Sequence, residues 1–409
     1  MPDSKLEFPR IRDLRIVQAV FRQGRVSIAA DIIHISQPAA TQSLLRVEKR
    51  LGATLFERRP EGMITTEVGE LFRRRLARIL ELIRRGDSLA RERTARTDSR
   101  GKPFYVHCSP VQLRALLAIS DAGSFSQAAR DLGVKQPGVH RAARELSALA
   151  GFRLFEQTRQ GVILTAAAAI FAHQVKLAMN EFRQSCFEIN EFLGRDMTRI
   201  NIGSMPLSRT ANLPAATARL ISEVGAAVQV NCVEARYGAL LRDLRFGDLD
   251  FLFGALRYPK PAGDIEQEEL FTDHLVVVAS PSHPLTRSEA VTLRDTLDYP
   301  WIAPPRNTPS GAYLFETLGI GELKDTPVRI VSSSLVFLRS LLSHGTFVSI
   351  ASARQVEADE KTGAVIRLPI ELPDSERAIG LTFRSRWSPT PLQNRLLDII
   401  RQVAVDPTS

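Results

Sequence analysis

The apolar positions of this chain follow two different patterns. Through residues 1–197 they recur at spacings of three and four, which indicates amphipathic helices. From about Thr198 onward, short β-branched or apolar runs alternate with helical stretches; the runs are RINIG, AVQVNCV, LDFLFGAL, HLVVVAS, VRIV and TFVSIA. That alternation is typical of parallel strands joined by crossover helices. The pattern predicts a helical N-terminal half and an α/β C-terminal half.

The helical half contains a repeat. A shift of 99 residues aligns Leu14–Phe72 with Leu113–Phe171 without a gap. The matching pairs are Leu14/Leu113, Arg15/Arg114, Ala19/Ala118, Gly24/Gly123, Ser27/Ser126, Ala29/Ala128, Ala30/Ala129, Gln37/Gln136, Pro38/Pro137, Gly52/Gly151, Leu55-Phe56-Glu57/Leu154-Phe155-Glu156, Gly62/Gly161 and Thr66/Thr165. Two copies are too few for a solenoid, so we interpret the repeat as a domain duplication.

Each copy predicts a winged helix-turn-helix. An apolar helix (Leu14–Phe21 or Leu113–Ile119) is followed by a glycine turn, a short helix with an Ala-Ala pair, and a longer helix opened by Gln-Pro. The stretches LFERRPEGMITT and LFEQTRQGVILT then read as two short strands around a turn, which is a wing. Ser36 can cap the longer helix in copy one, whereas copy two has Lys135 there, a loss of about 1 kcal/mol.

An apolar stripe follows each wing and can form a coiled-coil seam. The first stripe consists of Val68, Phe72, Leu76, Ile79 and Ile83, and the second of Phe171, Val175, Ala178, Phe182, Cys186, Ile189 and Leu193. Between the copies, ARTDSRGKP at 95–103 is polar and contains Gly and Pro, so we predict a flexible joint there.

Length and charge agree with several domains of unlike function. A chain of 409 residues is expected to hold at least three domains. The net charge of +9 divides into +8 for residues 1–100, +3 for 101–197 and −2 for the remainder. A basic N-terminal half beside a slightly acidic C-terminal half is the expected footprint of a polyanion-binding module, although solvated Arg-rich helices give the same charge.

Other protein classes find little support in the sequence. No stretch approaches the ~20 apolar residues that cross a bilayer, and the N-terminus lacks a secretory signal, so we predict a cytoplasmic protein without membrane contact. Cys108, Cys186 and Cys232 have no metal-site spacing and are predicted to be buried thiols. No catalytic motif is present, and we predict no catalytic residue, metal or cofactor. The alternative function is a small-molecule-binding protein or enzyme without specific DNA readout.

Both copies resemble the DNA-binding domain of LysR-type transcriptional regulators, because Ala-Ala, Gln-Pro, Gly and Leu-Phe-Glu all fall at the family's spacing. The usual member has one such domain, so the second is a departure. From Thr198, the landmarks INIGSMPLSRTANLP, LLRDLRFGDLDFLFG and HLVVVASPSHPL resemble the family's effector region. The text around MPLSRTANLP and PPRNTPSG is closest to sugar-responsive members.

The resemblance implies an α+β multidomain chain. Two winged helix-turn-helix domains, each with a linker helix, span 1–94 and 106–196 and are joined by a linker at 95–105. A two-lobed α/β effector domain, similar to periplasmic binding proteins, spans 197–409. The implied partners are double-stranded promoter DNA and an effector that is a sugar or a small organic acid. Self-association as a homodimer or homotetramer is also implied, and a contact with RNA polymerase is left open. The linker helices either dimerise or pack on a neighbouring domain of the same chain.

The helix after Gln-Pro is similar to the family's recognition helix, and the wings would meet phosphates. The candidate DNA-binding residues are Ser36, Gln37, Pro38, Thr41, Gln42, Arg46, Arg58 and Arg59 in copy one, and Gln136, His140, Arg141, Arg144 and Arg159 in copy two. Copy two would be a further DNA-binding head or a spacer and dimerisation element.

Effectors in such folds settle between the lobes, at strand ends and helix N-termini, where free N–H groups favour anionic or hydroxylated groups. The candidate effector-binding residues are Ser204, Met205, Pro206, Ala255, Arg257, Pro304, Arg306, Asn307, Thr308, Ser310, Ser332, Ser333 and Ser334. The Ser and Thr residues among them serve equally well as helix caps.

Overall fold

A computed structural model of the chain describes residues 7–94, 103–159, 161–195, 198–205 and 212–405. The chain forms two compact units, Met1–Arg199 and Ile200–Ser409. Most of the predicted joint between the copies, residues 95–102, lies outside the described residues.

Copy one is a winged helix-turn-helix followed by a long helix. Its elements are α1 (Ile11–Gln23), α2 (Val26–Ile33), α3 (Gln37–Leu51), β1 (Phe56–Arg59), β2 (Gly62–Thr65) and α4 (Glu67–Arg93). The strands β1 and β2 pair antiparallel to form the predicted wing. The first helix extends beyond the predicted apolar run at both ends, from the buried Ile11 to the polar Arg22 and Gln23.

Copy two repeats this order after a short 3-10 helix at Phe104–His107. Its elements are α5 (Pro110–Ala122), α6 (Phe125–Asp131), α7 (Gln136–Ala150), β3 (Phe155–Thr158), β4 (Gly161–Leu164) and α8 (Ala166–Phe192). The repeat therefore produces two domains of the same fold, as the sequence predicts.

Two details explain residues that the copies share or differ in. Gly62 has φ of +138°, and a Cβ there would lie 2.6 Å from the carbonyl oxygen of Gly24. That oxygen accepts a hydrogen bond from Met63 N, so the wing packs directly on the turn after α1. Ser36 caps α3 by accepting from Ala39 N at 3.4 Å, whereas Lys135 gives α7 no side-chain cap. The predicted difference in capping is confirmed.

The two long helices α4 and α8 pack against each other in antiparallel orientation. Arg75, early in α4, bonds to Glu181 late in α8, while Gly86, late in α4, lies against Phe171 and Gln174 early in α8. The residues of both predicted stripes are buried except Leu193, which is half-buried just after α8, and one continuous core runs through both copies. Of the two alternatives for these helices, the structure shows packing on a neighbouring domain of the same chain.

The C-terminal unit contains two five-stranded sheets. Its elements are β5 (Thr198–Ser204), α9 (Asn212–Val224), β6 (Val228–Val233), α10 (Tyr237–Phe246), β7 (Phe251–Ala255), β8 (Ile265–Asp273), β9 (Leu275–Ala279), β10 (Trp301–Ala303), α11 (Pro309–Ala312), β11 (Val328–Val331), α12 (Leu335–Leu342), β12 (Val348–Ser352), α13 (Ala353–Lys361), β13 (Ile366–Arg367), β14 (Arg377–Arg384) and α14 (Pro391–Val405). Each sheet forms one lobe with its own apolar core, as the predicted two-lobed architecture requires.

The predicted parallel strands are present in the pairs β5–β7, β10–β11 and β10–β12, but both sheets also contain antiparallel strands. The first lobe has the order β6-β5-β7-β14-β8 and the second β11-β10-β12-β9-β13. The strand β14 pairs antiparallel with β7 and β8, and β9 pairs antiparallel with β12 and β13. The cause is the path of the chain, which leaves the first lobe after β8 and returns to it through β14 and α14.

The prediction of three buried thiols holds for two of them. Burial raises the pKa of Cys108 and of Cys186 to about 12, so neither is a thiolate at neutral pH. Cys232 is exposed, which contradicts the prediction. It lies in β6, an edge strand of the first lobe that is mostly exposed.

The buried carboxylate of Asp87 supplies a test of how copy two is attached to α4. It accepts from Phe104 N at 2.9 Å and Tyr105 N at 3.2 Å, and its other oxygen lies 2.6 Å from Arg91 Nη2. Asp87→Ala should lower the free energy of unfolding by about 2–4 kcal/mol, because buried donors and an arginine lose their acceptor. Urea unfolding measures this. Arg84→Ala, on the exposed face of α4, is the control that should leave the midpoint unchanged, and an equal midpoint for Asp87→Ala would refute the assignment.

Candidate nucleic-acid interface and effector site

The helix α3 has one buried and one exposed face. Ala40, Leu44 and Val47 point into the core. On the other face Gln37, Pro38 and Gln42 are exposed and Thr41 is half-buried, next to the exposed cap Ser36. Amide side chains such as these can make paired hydrogen bonds to adenine edges in the major groove. The face that the sequence singled out is thus presented to solvent.

Arg46 lies on the edge of this face and is bonded inside its own domain. Its Nε donates to Asp13 Oδ2 at 2.9 Å and its Nη2 donates to Asp13 Oδ1 at 2.8 Å and to Ser43 Oγ at 2.8 Å. The hydrogen bonds with Asp13 raise the pKa of Arg46. The pair joins α1 to α3 and so fixes the angle between them. Copy two has Gln112 and Glu145 at the equivalent positions, with a 3.2 Å hydrogen bond.

The wing of copy one carries two exposed arginines at the end of β1. Arg59 Nη2 lies 3.1 Å from Glu57 Oε2, in a pair that is exposed on both sides. Within the described part of the chain, Arg58 has no ion-pair partner. Such side chains suit contact with phosphates, which holds the position on DNA without reading sequence.

The corresponding face of copy two is more basic and more strongly engaged with its own domain. The ring of His140 stacks on Phe125 at 3.8 Å, and Gln136 Oε1 accepts from Ser126 Oγ at 3.1 Å. Arg141 and Arg144 are exposed, with Arg141 Nε 3.8 Å from Glu145 Oε1. Arg159 is exposed on the wing. The charge of this face therefore comes from its arginines.

A cleft of about 490 Å³ opens in the C-terminal unit. It is lined by Ala255, Leu256, Arg257, Tyr258, Arg306, Asn307, Thr308, Pro309, Ala312, Glu376, Arg377 and Ala378. These residues come from the end of β7, the start of β14 and the N-terminus of α11, so both lobes contribute. Five of the sequence-predicted residues are in this lining: Ala255, Arg257, Arg306, Asn307 and Thr308.

The other predicted effector residues lie elsewhere. Ser204 and Met205 are buried at the end of β5, where Met205 packs on Gly254. Ser334 caps α12, and Ser332 Oγ accepts from Ser334 N at 3.1 Å, while Thr308 of the lining also caps α11. Pro304 and Ser332, Ser333 and Ser334 are outside the lining, and Pro206 lies outside the described residues.

Arg377 is one of the lining residues that were not predicted from the sequence. Its Nη2 lies 2.7 Å from Asp273 Oδ2 and its Nη1 donates to Ser310 Oγ at 2.7 Å. Its Nε is buried without a hydrogen-bond partner among the described residues. Arg377 and Asp273 are 104 positions apart, so only the fold brings them together. Ser310 thus acts on the cleft through Arg377.

The arginines of the lining make the cleft electropositive, and burial and mutual repulsion oppose their charges. Burial lowers the pKa of Arg377 despite the neighbouring Asp273. Burial also lowers the pKa of Arg257, and repulsion from Arg377 adds to this. The Arg257 guanidinium lies 4.6 Å from the centre of the Tyr237 ring, and the Tyr237 hydroxyl is buried with no hydrogen-bond partner among the described residues. Among the described residues, Arg377 Nε and the Tyr237 hydroxyl thus lack partners, and Arg257 of the lining contacts the Tyr237 ring.

Two winged helix-turn-helix domains and a two-lobed domain with a polar cleft define a DNA-binding regulator with an effector domain. The family model described as "Bacterial regulatory helix-turn-helix protein, lysR family" matches residues 11–70 and again 110–169, and "LysR substrate binding domain" matches 194–405. The chain belongs to the LysR family of transcriptional regulators. Its DNA-binding part is duplicated, as the sequence predicts.

Individual relatives differ in how much of the chain they match. The HTH-type transcriptional regulator GalR of Pseudomonas putida is 29% identical over 98% of this chain and 99% of its own length. PcaQ of Agrobacterium fabrum is 28% identical over 71% of this chain and 94% of its own length. Among solved structures, the LysR family regulator CbnR has a TM-score of 0.48 at 20% identity, covering 72% of this chain and 98% of CbnR.

In the part of the chain that the structure describes, no helix is both long and apolar enough to cross a membrane.

If α3 contacts bases and the wing contacts phosphates, substitutions in the two elements should affect DNA binding differently. Arg58→Ala should weaken binding to all DNA sites similarly and reduce the slope of log affinity against log salt by ~1, because one phosphate contact is lost. Gln42→Ala should instead change the preference among sites, by about 1–3 kcal/mol at one base pair.

Band-shift titrations at several salt concentrations, on a panel of sites, measure both effects. Arg84→Ala, an exposed arginine remote from the recognition helix, is the matched control. The assignment fails if Arg58→Ala alters sequence choice while leaving the salt slope intact.

Proposed function

We propose that this LysR-family regulator reads its operator with copy one and responds to a small organic acid bound in the C-terminal cleft. The observation that carries the effector class is the pair Arg257 and Arg377 in the cleft lining, with Arg377 Nε lacking a partner among the described residues. Buried cations at close range repel each other, and an anion removes that repulsion while accepting from their free donors.

An acid fits this cleft better than a neutral sugar. Arg377 has one carboxylate partner, Asp273, and Arg257 has none in the described ranges. Arg306 adds a third cation, with its guanidinium 4.4 Å from the centre of the Phe315 ring. Glu376 is the single acidic residue of the lining. The similarity to sugar-responsive members remains a prediction from sequence.

The exposed face of α3 and the basic wing support DNA reading by copy one. We assign base contacts to Gln37, Thr41 and Gln42, phosphate contacts to Arg58 and Arg59, and to Arg46 the positioning of α3 through Asp13. Self-association as a homodimer or homotetramer, action in the cytoplasm and a contact with RNA polymerase belong to the same proposal. The proposal also includes domain boundaries at residues 94, 105 and 196.

The effector assignment has a direct test in the full-length protein. A panel of small aromatic and aliphatic carboxylates should include compounds that raise the thermal midpoint, since binding to the folded state stabilises it. Arg257→Ala should weaken binding of such a compound roughly 10- to 100-fold, because a charge-assisted hydrogen bond is lost. Isothermal titration measures the dissociation constant.

Arg242→Ala is the matched control, because Arg242 is exposed on α10 and pairs with Asp243 outside the cleft lining. It should leave the dissociation constant unchanged. Stabilisation by neutral sugars with no response to any carboxylate would overturn the acid assignment.

A further inference from the structure

We propose that α4 and α8 are a heterospecific pair, which makes each chain a complete two-headed DNA-binding unit without a partner chain. The inference goes beyond the proposed function and depends on it only for contact with DNA. It starts from the charges buried between the two helices.

Those charges are divided strictly by helix. Arg75 Nη1 lies 3.0 Å from Glu181 Oε2, Arg75 Nε lies 3.0 Å from Glu188 Oε2, and Arg78 Nη2 lies 3.0 Å from Glu181 Oε1. The side chains of Arg75 and Glu181 are 4% and 9% exposed. In this cluster α4 contributes the cations and α8 the anions.

The repeat shows what would face these charges in a pair of identical helices. With the shift of 99 residues, Arg75 and Arg78 of α4 correspond to Gln174 and Leu177 of α8. Glu181 and Glu188 of α8 correspond to Leu82 and Leu89 of α4.

Identical helices paired in the same antiparallel register would therefore leave charges unmatched. Two α4 helices would bury Arg75 against Leu82 and Leu89, with no carboxylate. Two α8 helices would bury Glu181 and Glu188 without an arginine. An unpaired buried charge is strongly destabilising, so the sequence opposes both of these pairings while the α4–α8 pair is neutral.

The packing of a glycine agrees with the charges. A Cβ at Gly86 would lie 2.8 Å from the Cβ of Gln174, closer than side chains approach. The equivalent residue of α8 is Ser185, which has that Cβ. A pair of two α8 helices would bring Ser185 against Gln174 and push the helices apart. The close contact at Gly86 therefore requires a residue without a Cβ, which α4 has and α8 lacks.

The two heads held in this way have unlike faces, which has a consequence for the operator. Copy one presents Gln37, Thr41 and Gln42, whereas copy two presents Arg141 and Arg144. A single chain should accordingly protect two unlike half-sites, the second through its arginines.

The pairing is tested by exchanging charges in the full-length protein. The α4 variant Arg75→Glu/Arg78→Glu and the α8 variant Glu181→Arg/Glu188→Arg, each alone, should lower the thermal midpoint of the N-terminal unit by roughly 5–15 °C. The combination of all four substitutions in one chain should recover at least half of this loss, because every pair of facing charges is opposite again. A mixture of the α4 variant with the α8 variant, unfolded and refolded together, should recover nothing.

Recovery in the mixture would overturn the proposal, because it would mean that α4 of one chain pairs with α8 of another. A combined variant no more stable than the α4 and α8 variants would also overturn it. If a helix with reversed charges does not fold, the neutral series Arg75→Gln/Arg78→Gln, Glu181→Gln/Glu188→Gln and their combination is judged by the same comparison, because only the combination leaves no buried charge unpaired.

The DNA arm compares nuclease footprints of the wild type and Arg141→Ala/Arg144→Ala. Loss of one flank of protection, with the other retained, is expected from a two-headed chain. An unchanged footprint and affinity would overturn the two-headed unit. Failure of the wild type to protect any selected sequence would instead contradict the proposed function, and it would leave the stability comparison intact.

Discussion

The buried ion pairs of Arg75 with Glu181 and Glu188 constrain the whole N-terminal unit. Burial alone would lower the pKa of Arg75, but the two carboxylates outweigh it and raise the pKa above its usual value. The arginine is therefore charged, and it is stable in the core only while both glutamates stand opposite. Because Arg75 follows the wing of copy one and the glutamates are late in α8, this requirement fixes the register of the two long helices. The register in turn fixes where each winged domain is placed.

Within that frame the two copies keep the same scaffold and change what lies on it. The shared residues, such as Gly24 and Gly62 with Gly123 and Gly161, occupy turns and close contacts that the fold requires. Buried positions in the winged domains that differ mostly exchange one apolar residue for another, such as Leu44 and Ala143, whereas polar positions change their charge. Asp13 and Arg46 become Gln112 and Glu145, which keeps a bond between the first and third helices but reverses the charge at the third. The scaffold therefore constrains where the surface lies and leaves its charge free to diverge.

The local elements could be predicted from the sequence, because each depends on residues close together in the chain. The winged domains, the Ser36 cap and the two buried stripes follow from periodicity and turn residues. The packing partner of each stripe could not be predicted, because an apolar stripe has the same sequence pattern whether it packs on another chain or on the same chain. The charges that decide this question, Arg75 and Glu181, are 106 residues apart. Mixed sheets were missed for a similar reason, since the direction of β14 depends on a return between lobes.

In the cleft, Arg377 could not be predicted for the same reason, because the residues that it contacts are far from it in sequence. Arg377 stands at the start of β14 in the first lobe, and it bonds to Ser310 in the second lobe and to Asp273 at the end of β8. Asp273 Oδ1 also accepts from Arg354 N of the second lobe at 3.3 Å. Under the proposed function, an anion bound at the Nε of Arg377 would share one guanidinium with these bonds. Binding in the cleft would then be coupled to the contacts between the lobes, since one buried cation serves both.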